Sequence, residues 1–276
     1  MARDAKSQSL LYVSSYRTDN VYVFSYPRGR LVGTLAGFNG PDGECVDSAG
    51  NVWITNTLQS QLVEYAHGGT TSIATLNDPG EYPFGCSVDR KTGNLAVTNI
   101  YGAGSPSLAS GNVVIYAGAK GSPQGPYYDS VMYYMYFCGF DRAGNLFLDG
   151  ESYGGGFRLA ELVNGSTGFT DLTLNKNIGQ PGGVQWDGNH IAVGDQHAGI
   201  IYQLQIADSG ATVVGSTPLN DSKDVVGFWI DGKTVVGPDA VRRDVGYWSY
   251  PSGGSPARII RDRVLNQPIG AVVSAP

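Results

Sequence analysis

Short stretches in which apolar and polar residues alternate follow one another along the chain, closed by glycine, asparagine, aspartate or proline. Alternation of period two marks a strand with one face buried. Such runs cover residues 10–15, 20–26 and 30–35, and then a fixed order sets in. Residues 40–46 lead into Asp47-Ser48-Ala49-Gly50-Asn51 and a second run, Val52-Trp53-Ile54-Thr55-Asn56. The same order returns at residues 82–89 and 93–99, 137–141 and 144–149, 181–187 and 191–195, and 226–231 and 234–237. Aspartates close the first run at positions 47, 89, 141, 187 and 231, which gives repeats of 42, 52, 46 and 44 residues. Periods of about 40–50 residues are those of propeller blades.

Each Asp-x-x-Gly-Asn link predicts a hairpin, because asparagine and glycine accept the positive φ of a tight primed turn. A third run follows at 61–66, 112–117, 157–163, 200–206 and 244–251, and a weaker fourth as at 71–76 and 169–174. Four antiparallel strands make one blade. Residues 10–35 supply only strands two to four of a blade, and residues 267–273 supply a lone first strand. The two chain ends complement each other and predict a sixth blade that closes the ring. The expected fold is all-β, a single six-bladed β-propeller domain over residues 1–276, with residues 1–8 as a flexible N-terminal tail.

Composition narrows the function. The charged fraction is 15%, with 40 glycines and 17 tyrosines, and the net charge is −6. A general nucleic-acid binder needs a basic face, so that class is disfavoured. No apolar run reaches the roughly 20 residues of a membrane span. Residues 1–9 lack the apolar core of a signal peptide. The Ser-, Thr-, Gly- and Tyr-rich composition points to an exported bacterial protein, secreted or periplasmic, with a cytoplasmic location left open. A closed ring makes a monomer the default expectation.

Strand direction puts the start of each first strand and the end of each second strand on one face. A first ring there holds Asp42, Phe84, Tyr136, Gly182, Val225 and Ile269. A second holds Ser15, Asn56, Asn99, Gly150, Asp195 and Pro238, with Glu151, His197 and Asp239 just beyond. The channel mouth between them is where polar groups from several blades converge. His197 is the histidine on that face; His67 is expected in an exposed turn and His190 in a hairpin on the opposite face. Asp195 and His197 are the candidate catalytic pair, the histidine as a base oriented by the aspartate or as a metal ligand. No Gly-x-Ser-x-Gly, His-Glu-x-x-His or phosphate-binding glycine loop occurs. Tyr127, Tyr128, Tyr133, Tyr134, Tyr136 and Phe137, with Tyr82 and Phe84, form either an aromatic rim or a plug between blades. As a rim they suit a sugar, an aryl group or a protein partner. Phe84, Tyr134, Tyr136, Glu151 and Asp239 are the candidate ligand-binding residues.

The pattern Pro-x-Gly-x-x-x-Asp-x-x-Gly-Asn-x-x-(Val/Ile)-(Thr/Ser)-Asn resembles NHL-type repeats and is similar to the propellers of the gluconolactonase and senescence-marker family. The resemblance runs from about residue 10 to the end. In that family a carboxylate, two asparagines and an aspartate hold a divalent metal at the mouth, the asparagine and aspartate lying in Pro-Asn-Gly and Pro-Asp-Gly turns. Oxygen ligands of this kind suit calcium. Pro41-Asp42-Gly43 matches the aspartate turn, which makes Asp42 a candidate ligand. Phe84 and Gly182 stand in the other turns, and no Pro-Asn-Gly occurs. A different metal set would draw on Asn56, Asn99 and Asp149, with Glu151 and Asp195. The same residues equally suit hydrogen bonding to turn backbone.

Three readings of function follow: a propeller that binds a small molecule or glycan at its Tyr-rich mouth, a metal-assisted hydrolase of lactones, esters or phosphotriesters, and a protein-interaction scaffold. Cys86 and Cys138 share a register, and Cys45 lies one residue later, facing the other way. Buried free thiols are expected, with a Cys86–Cys138 bridge as the alternative.

Overall fold

Six antiparallel sheets stand in a ring around a common axis, in a computed structural model that describes residues 1–102 and 110–276. From the axis outward, blade I is Pro268–Ser274, Leu10–Ser15, Asn20–Ser25 and Leu31–Ala36. Blade II is Pro41–Val46, Val52–Asn56, Gln61–Tyr65 and Ser72–Asn77. Blade III is Glu81–Val88, Leu95–Gly102, Asn112–Tyr116 and Gln124–Tyr127. Blade IV is Met132–Phe140, Leu146–Ser152, Phe157–Leu162 and Thr170–Asp171. Blade V is Pro181–Trp186, Ile191–Asp195, Ile200–Ala207 and Gly210–Pro218. Blade VI is Trp229–Asp231, Thr234–Asp239, Asp244–Ser249 and Arg258–Ile260. The fold is the six-bladed β-propeller that the repeat predicts, closed where Leu10 pairs with Ser274.

Blades meet face to face, so their inner strands bury both faces. Leu10–Ser15 is buried at every position. Apolar clusters fill the gaps, as where Trp53 and Leu62 of blade II pack with Val97 and Tyr116 of blade III. The fourth run expected at 169–174 divides between two blades. Thr170–Asp171 finishes blade IV, while Thr173–Leu174 pairs in parallel with Gly210–Pro218 on the outside of blade V.

The repeated aspartates work as turn organisers. The Asp47 carboxylate accepts from the Ala49 and Asn51 amides at 2.8 Å, and Asp141 does the same for Ala143 and Asn145. These links differ from primed two-residue turns. The chain makes a longer turn in which Gly50 and Gly144 take positive φ, 81° and 85°. Asn51 has no positive φ and instead donates through its side chain to Asp47.

A belt of polar side chains on the second strands ties each blade to the next. Ser14 accepts from Gly270 N in its own blade and donates to Asp42 O of blade II. Thr55 takes Gly43 N and donates to Phe84 O of blade III, and Thr98 takes Gly85 N and donates to Tyr136 O of blade IV. Asp149 accepts from Phe137 N and, across the gap, from Gly182 N of blade V. At the last two junctions the belt is continued by backbone, Gly183 N to Val226 O and Gly227 N to Ile269 O, and Gln185 of blade V adds a side-chain pair with Ile230 N and O of blade VI.

Cys45 and Cys86 form a disulfide between blades II and III, and Cys138 is the buried free thiol. The expectation of buried free thiols holds for Cys138 and is corrected for Cys45 and Cys86, and the alternative Cys86–Cys138 bridge does not form. Neighbouring blades present opposite faces to one another, so residues in the same register, such as Cys86 and Cys138, point the same way round the ring. The one-residue offset of Cys45 is what turns it toward Cys86.

The N-terminal eight residues, expected as a flexible tail, lie against blades I and II. Ala5 is fully buried among the residues that join these blades, and Met1 packs on Gly33. His67 is half-buried rather than exposed. Its ring nitrogens contact Ser274 Oγ at 2.6 Å and Gln8 O at 3.1 Å, so it fastens both ends of the chain to blade II.

Candidate functional site

Every first strand except that of blade VI begins with a register shift, for example between Pro41 and Glu44 and between Pro83 and Gly85. These bulges re-aim side chains at the axis. The result is a cavity of about 820 Å³ at one channel mouth, lined from all six blades. Its floor is Asp42, Phe84, Tyr136, Val226 and Ile269, and its rim includes Tyr16, Tyr82, Tyr101, Gln196 and Gln267. The turn aspartates line a second cavity of about 1180 Å³ on the opposite face.

Phe137 separates the two mouths. It is buried on blade IV, lines the opposite cavity, and packs edge-on against Phe84 at 5.2 Å. Its ring also reaches to contact distance of Gly227 on blade VI. The Tyr-rich segment therefore serves both expected roles, Phe137 as plug and Tyr136 as wall. Edge-to-face contacts link Tyr82 to Tyr101, Tyr101 to Tyr134, and Phe84 to Tyr136, at 6.0, 5.3 and 5.5 Å. Such pairs stiffen an aromatic surface by about 0.5–1.5 kcal/mol each. Tyr134 stands behind this wall, touching Tyr133 and Tyr136, and does not line the cavity.

Asp42 is the carboxyl of the floor. It is 3% exposed, and one oxygen accepts from Thr57 Oγ at 2.7 Å. Burial pushes its pKa up to about 7. Asp224, half-buried on the approach to blade VI, is the second carboxyl in the cavity, raised by burial and then by Asp239. Below Asp42 lies Glu44, whose two oxygens are buried without a hydrogen bond; the Ser14 amide and hydroxyl are close enough to favour its charged form. Burial still holds Glu44 well above the usual carboxylate range. A Cβ at Gly270 would collide with this carboxyl, so glycine makes its room.

The other expected site residues are placed by the second ring, and most spend their polar atoms on backbone. Asp195 accepts from Gly179, Gln180 and Ala198 amides, and Asp239 accepts from Lys223, Val241 and Arg242 amides. Each clamps the loop leaving strand two to the segment entering the same blade. His197 is exposed, and the Asp195 carboxylate is directed to loop amides rather than to its ring. Asn56 accepts from Asn39 N and donates to Gln59. Asn99 donates to Asp78 and Asn112, and Asn112 donates to Glu81. Asp149 belongs to the interblade belt, and Glu151 lies 3.5 Å from the Tyr136 hydroxyl.

Of the four expected metal ligands, Asp42 alone lines the mouth; Asn56, Asn99 and Asp149 do not join it in a ligand set. Among the described residues no group of three His, Cys, Asp or Glu side chains is arranged to hold a metal ion.

Sequence reasoning missed Tyr16, Tyr101, Gln196, Gln267 and Asp224 as lining residues, and placed Val225 where Val226 faces the cavity. Tyr16 and Gln196 lie one residue beyond the second ring and Gln267 two residues before the first. That closeness to the rings was their only signal.

No family model matches the chain, and no curated protein matches it significantly in sequence. The fold is similar to a chain in the crystal structure of a nidogen/laminin complex, with a TM-score of 0.75 at 13% identity over 96% of this chain and 98% of that one. A Bacteroides caccae protein of unknown function aligns with a TM-score of 0.72 at 12% identity, over 97% of this chain and 99% of that one. A functionally unknown protein from Desulfotomaculum acetoxidans DSM 771 aligns at 0.63 and 10%, over 97% and 99%. Identities this low carry the propeller fold and nothing finer.

Proposed function

We propose that this propeller binds a small molecule, an aryl compound or a glycan, in its axial mouth. The observation that carries the reading is a cavity of about 820 Å³ to which all six blades contribute, walled by five aromatic side chains and floored by one buried carboxyl. Ligand sites are concave, largely apolar, and carry few convergent polar groups. Here those groups are Asp42, Thr57, Gln196, Asp224 and Gln267. Flat aromatic walls stack on a sugar or aryl face, and the carboxyl and amide groups fix its orientation. The repeat is read as NHL-type, and Pro41-Asp42-Gly43 is the point at which the mouth resembles lactonase-like propellers. The Cys45–Cys86 disulfide supports export to an oxidising compartment.

The test is ligand-observed NMR with a panel of oligosaccharides and small aromatic compounds, comparing the wild type with Ala240→Trp. Ala240 lines the cavity, so the indole fills it. Saturation transfer to at least one compound in the wild type, lost in the filled variant, is the expected result. No transfer to any compound, or equal transfer in both proteins, overturns the reading.

A further inference from the structure

The charges inside the mouth are of one sign. Asp42 and Asp224 both line the cavity, and among the described residues no lysine, arginine or histidine does. They enter from blades II and VI, on either side of blade I. Asp42 has one oxygen bound by Thr57, and no hydrogen bond or ion pair holds its other oxygen or the Asp224 carboxyl among the described residues. The two carboxyls of the second ring are different, because Asp195 and Asp239 are consumed by loop amides. Of the basic groups around the rim, Arg242 is turned toward Asp239 at 3.9 Å, and Arg17 donates to the Gln267 amide oxygen at 2.8 Å. Glu151 stands beside Tyr136 outside the lining, and Glu44, buried next to Asp42, faces the cavity on the opposite side.

The remaining wall is aromatic. Tyr16, Tyr82, Phe84, Tyr101 and Tyr136 offer ring faces or edges, and their π faces carry negative charge density. Ring faces attract an organic ammonium within about 6 Å, more strongly as water is excluded. An anion would meet uncompensated carboxyls in a low-dielectric hollow, which is strongly unfavourable. Among ligands of the size the cavity holds, the wall favours a cationic head on an apolar body.

We propose that the ligand of this mouth is an organic monocation, an ammonium group carried on an apolar or aromatic body, held between the Asp42 and Asp224 carboxyls and the tyrosine ring faces. This rests on the small-molecule reading above and names the ligand class within it. In this arrangement the carboxyls do the discriminating and the aromatic walls supply the general affinity.

Three probes that share a phenyl-alkyl body separate these contributions: 2-phenylethylammonium, 2-phenylethanol and 3-phenylpropanoate. Calorimetric titrations are run at pH 8, above the value of about 7 to which Asp42 is raised. The ammonium is expected to bind about tenfold more tightly than the alcohol, with the carboxylate weakest. Asp42→Asn and Asp224→Asn are each expected to erase most of that margin, read as the ratio of ammonium to alcohol affinity on the same variant. Asp224 is the less buried of the two, so its variant keeps the test available if Asp42→Asn fails to fold. Equal binding of ammonium and alcohol, or tightest binding of the carboxylate, overturns the inference while leaving the small-molecule reading intact. No binding by any of the three to a folded protein at millimolar concentration also overturns the inference, and the compound panel described above then judges the small-molecule reading separately.

Discussion

Cys45 and Cys86 stand one residue out of register on adjacent blades, and their Cα atoms lie 5.7 Å apart across the gap. Sheets packed face to face are ordinarily about 10 Å apart, too far for a disulfide. Near the axis the blades converge, and opposite-facing positions come within reach. Cys138 faces blade III as Cys86 faces blade II, but the position on blade III that matches Cys45 is Ser87.

The bridge closes a loop of 41 residues in sequence separation. The chain-entropy relation gives a loop of that length a stabilisation of about 4 kcal/mol. Reduction, or the double substitution Cys45→Ser and Cys86→Ser, is expected to lower unfolding stability by up to about that amount. Guanidinium denaturation with and without reductant checks it. In the oxidised native protein a thiol reagent is expected to find Cys138 unreactive and to count one thiol after unfolding.

The interblade belt makes a second prediction. Thr98 is fully buried and joins Gly85 N to Tyr136 O. Thr98→Val keeps the shape and strands both backbone groups, at a cost of about 1–3 kcal/mol. Thr98→Ser keeps the hydroxyl and is expected to cost less than the valine. Equal stability of valine variant and wild type in urea titrations would dismiss the belt as a source of stability.

The loop clamp separates a structural from a catalytic aspartate. Asp195→Ala strips three loop amides of their acceptor and is expected to destabilise by about 1–3 kcal/mol. His197→Ala, at an exposed position, is expected to stay within about 0.5 kcal/mol of wild type. Denaturant midpoints for the two variants decide it, and an Asp195→Ala protein of native stability would count against the clamp.

Buried carboxyls set the pH dependence. Asp42 and Glu81 ionise at about 7 when folded, against ordinary values of 3.8 and 4.5. Between roughly pH 4 and pH 7 the folded chain therefore holds protons that the unfolded chain has released. Their contribution is full below the unfolded values and is lost as pH rises through about 7. Burial pushes Glu44 and Asp149 the same way. Asp187 opposes the trend, since hydrogen bonds from Tyr250 and loop amides outweigh its burial and lower it. The melting temperature is expected to fall between pH 5 and pH 8, and less steeply in Asp42→Asn. A rise over that range would refute the assignment.

The blades were legible because turn chemistry repeats. Asp47 and Asp141 hold their loops by the same amide pattern, and period-two runs on both sides give strands of known facing. Split closure was legible because residues 267–273 lack the strands that residues 10–35 supply. The mouth was legible only in outline. An extra residue ahead of a strand shifts a side chain by one position, and local composition does not announce it; ahead of blade VI's first strand Val225 pairs with Asp239 and Trp229 with Val236, four steps against three, and Val226 faces the cavity where Val225 was expected. The disulfide needed a relation between two blades, namely that neighbours show opposite faces. Asp195 and Asp239 read as reactive groups at strand ends because a carboxylate taken up by loop amides looks, in sequence, like a free one.

Blade I also fixes the order in which the molecule can be finished. Its Leu10–Ser15 strand is among the first made, yet its partner Pro268–Ser274 is among the last. At ordinary synthesis rates the wait is about 10–50 s. Throughout it, an apolar strand with an open edge is exposed beside the ribosome, a template for pairing with another chain. Blades II to V have all their own strands long before then. The hazard in production is thus concentrated at Leu10–Ser15, and it ends only when Pro268–Ser274 arrives.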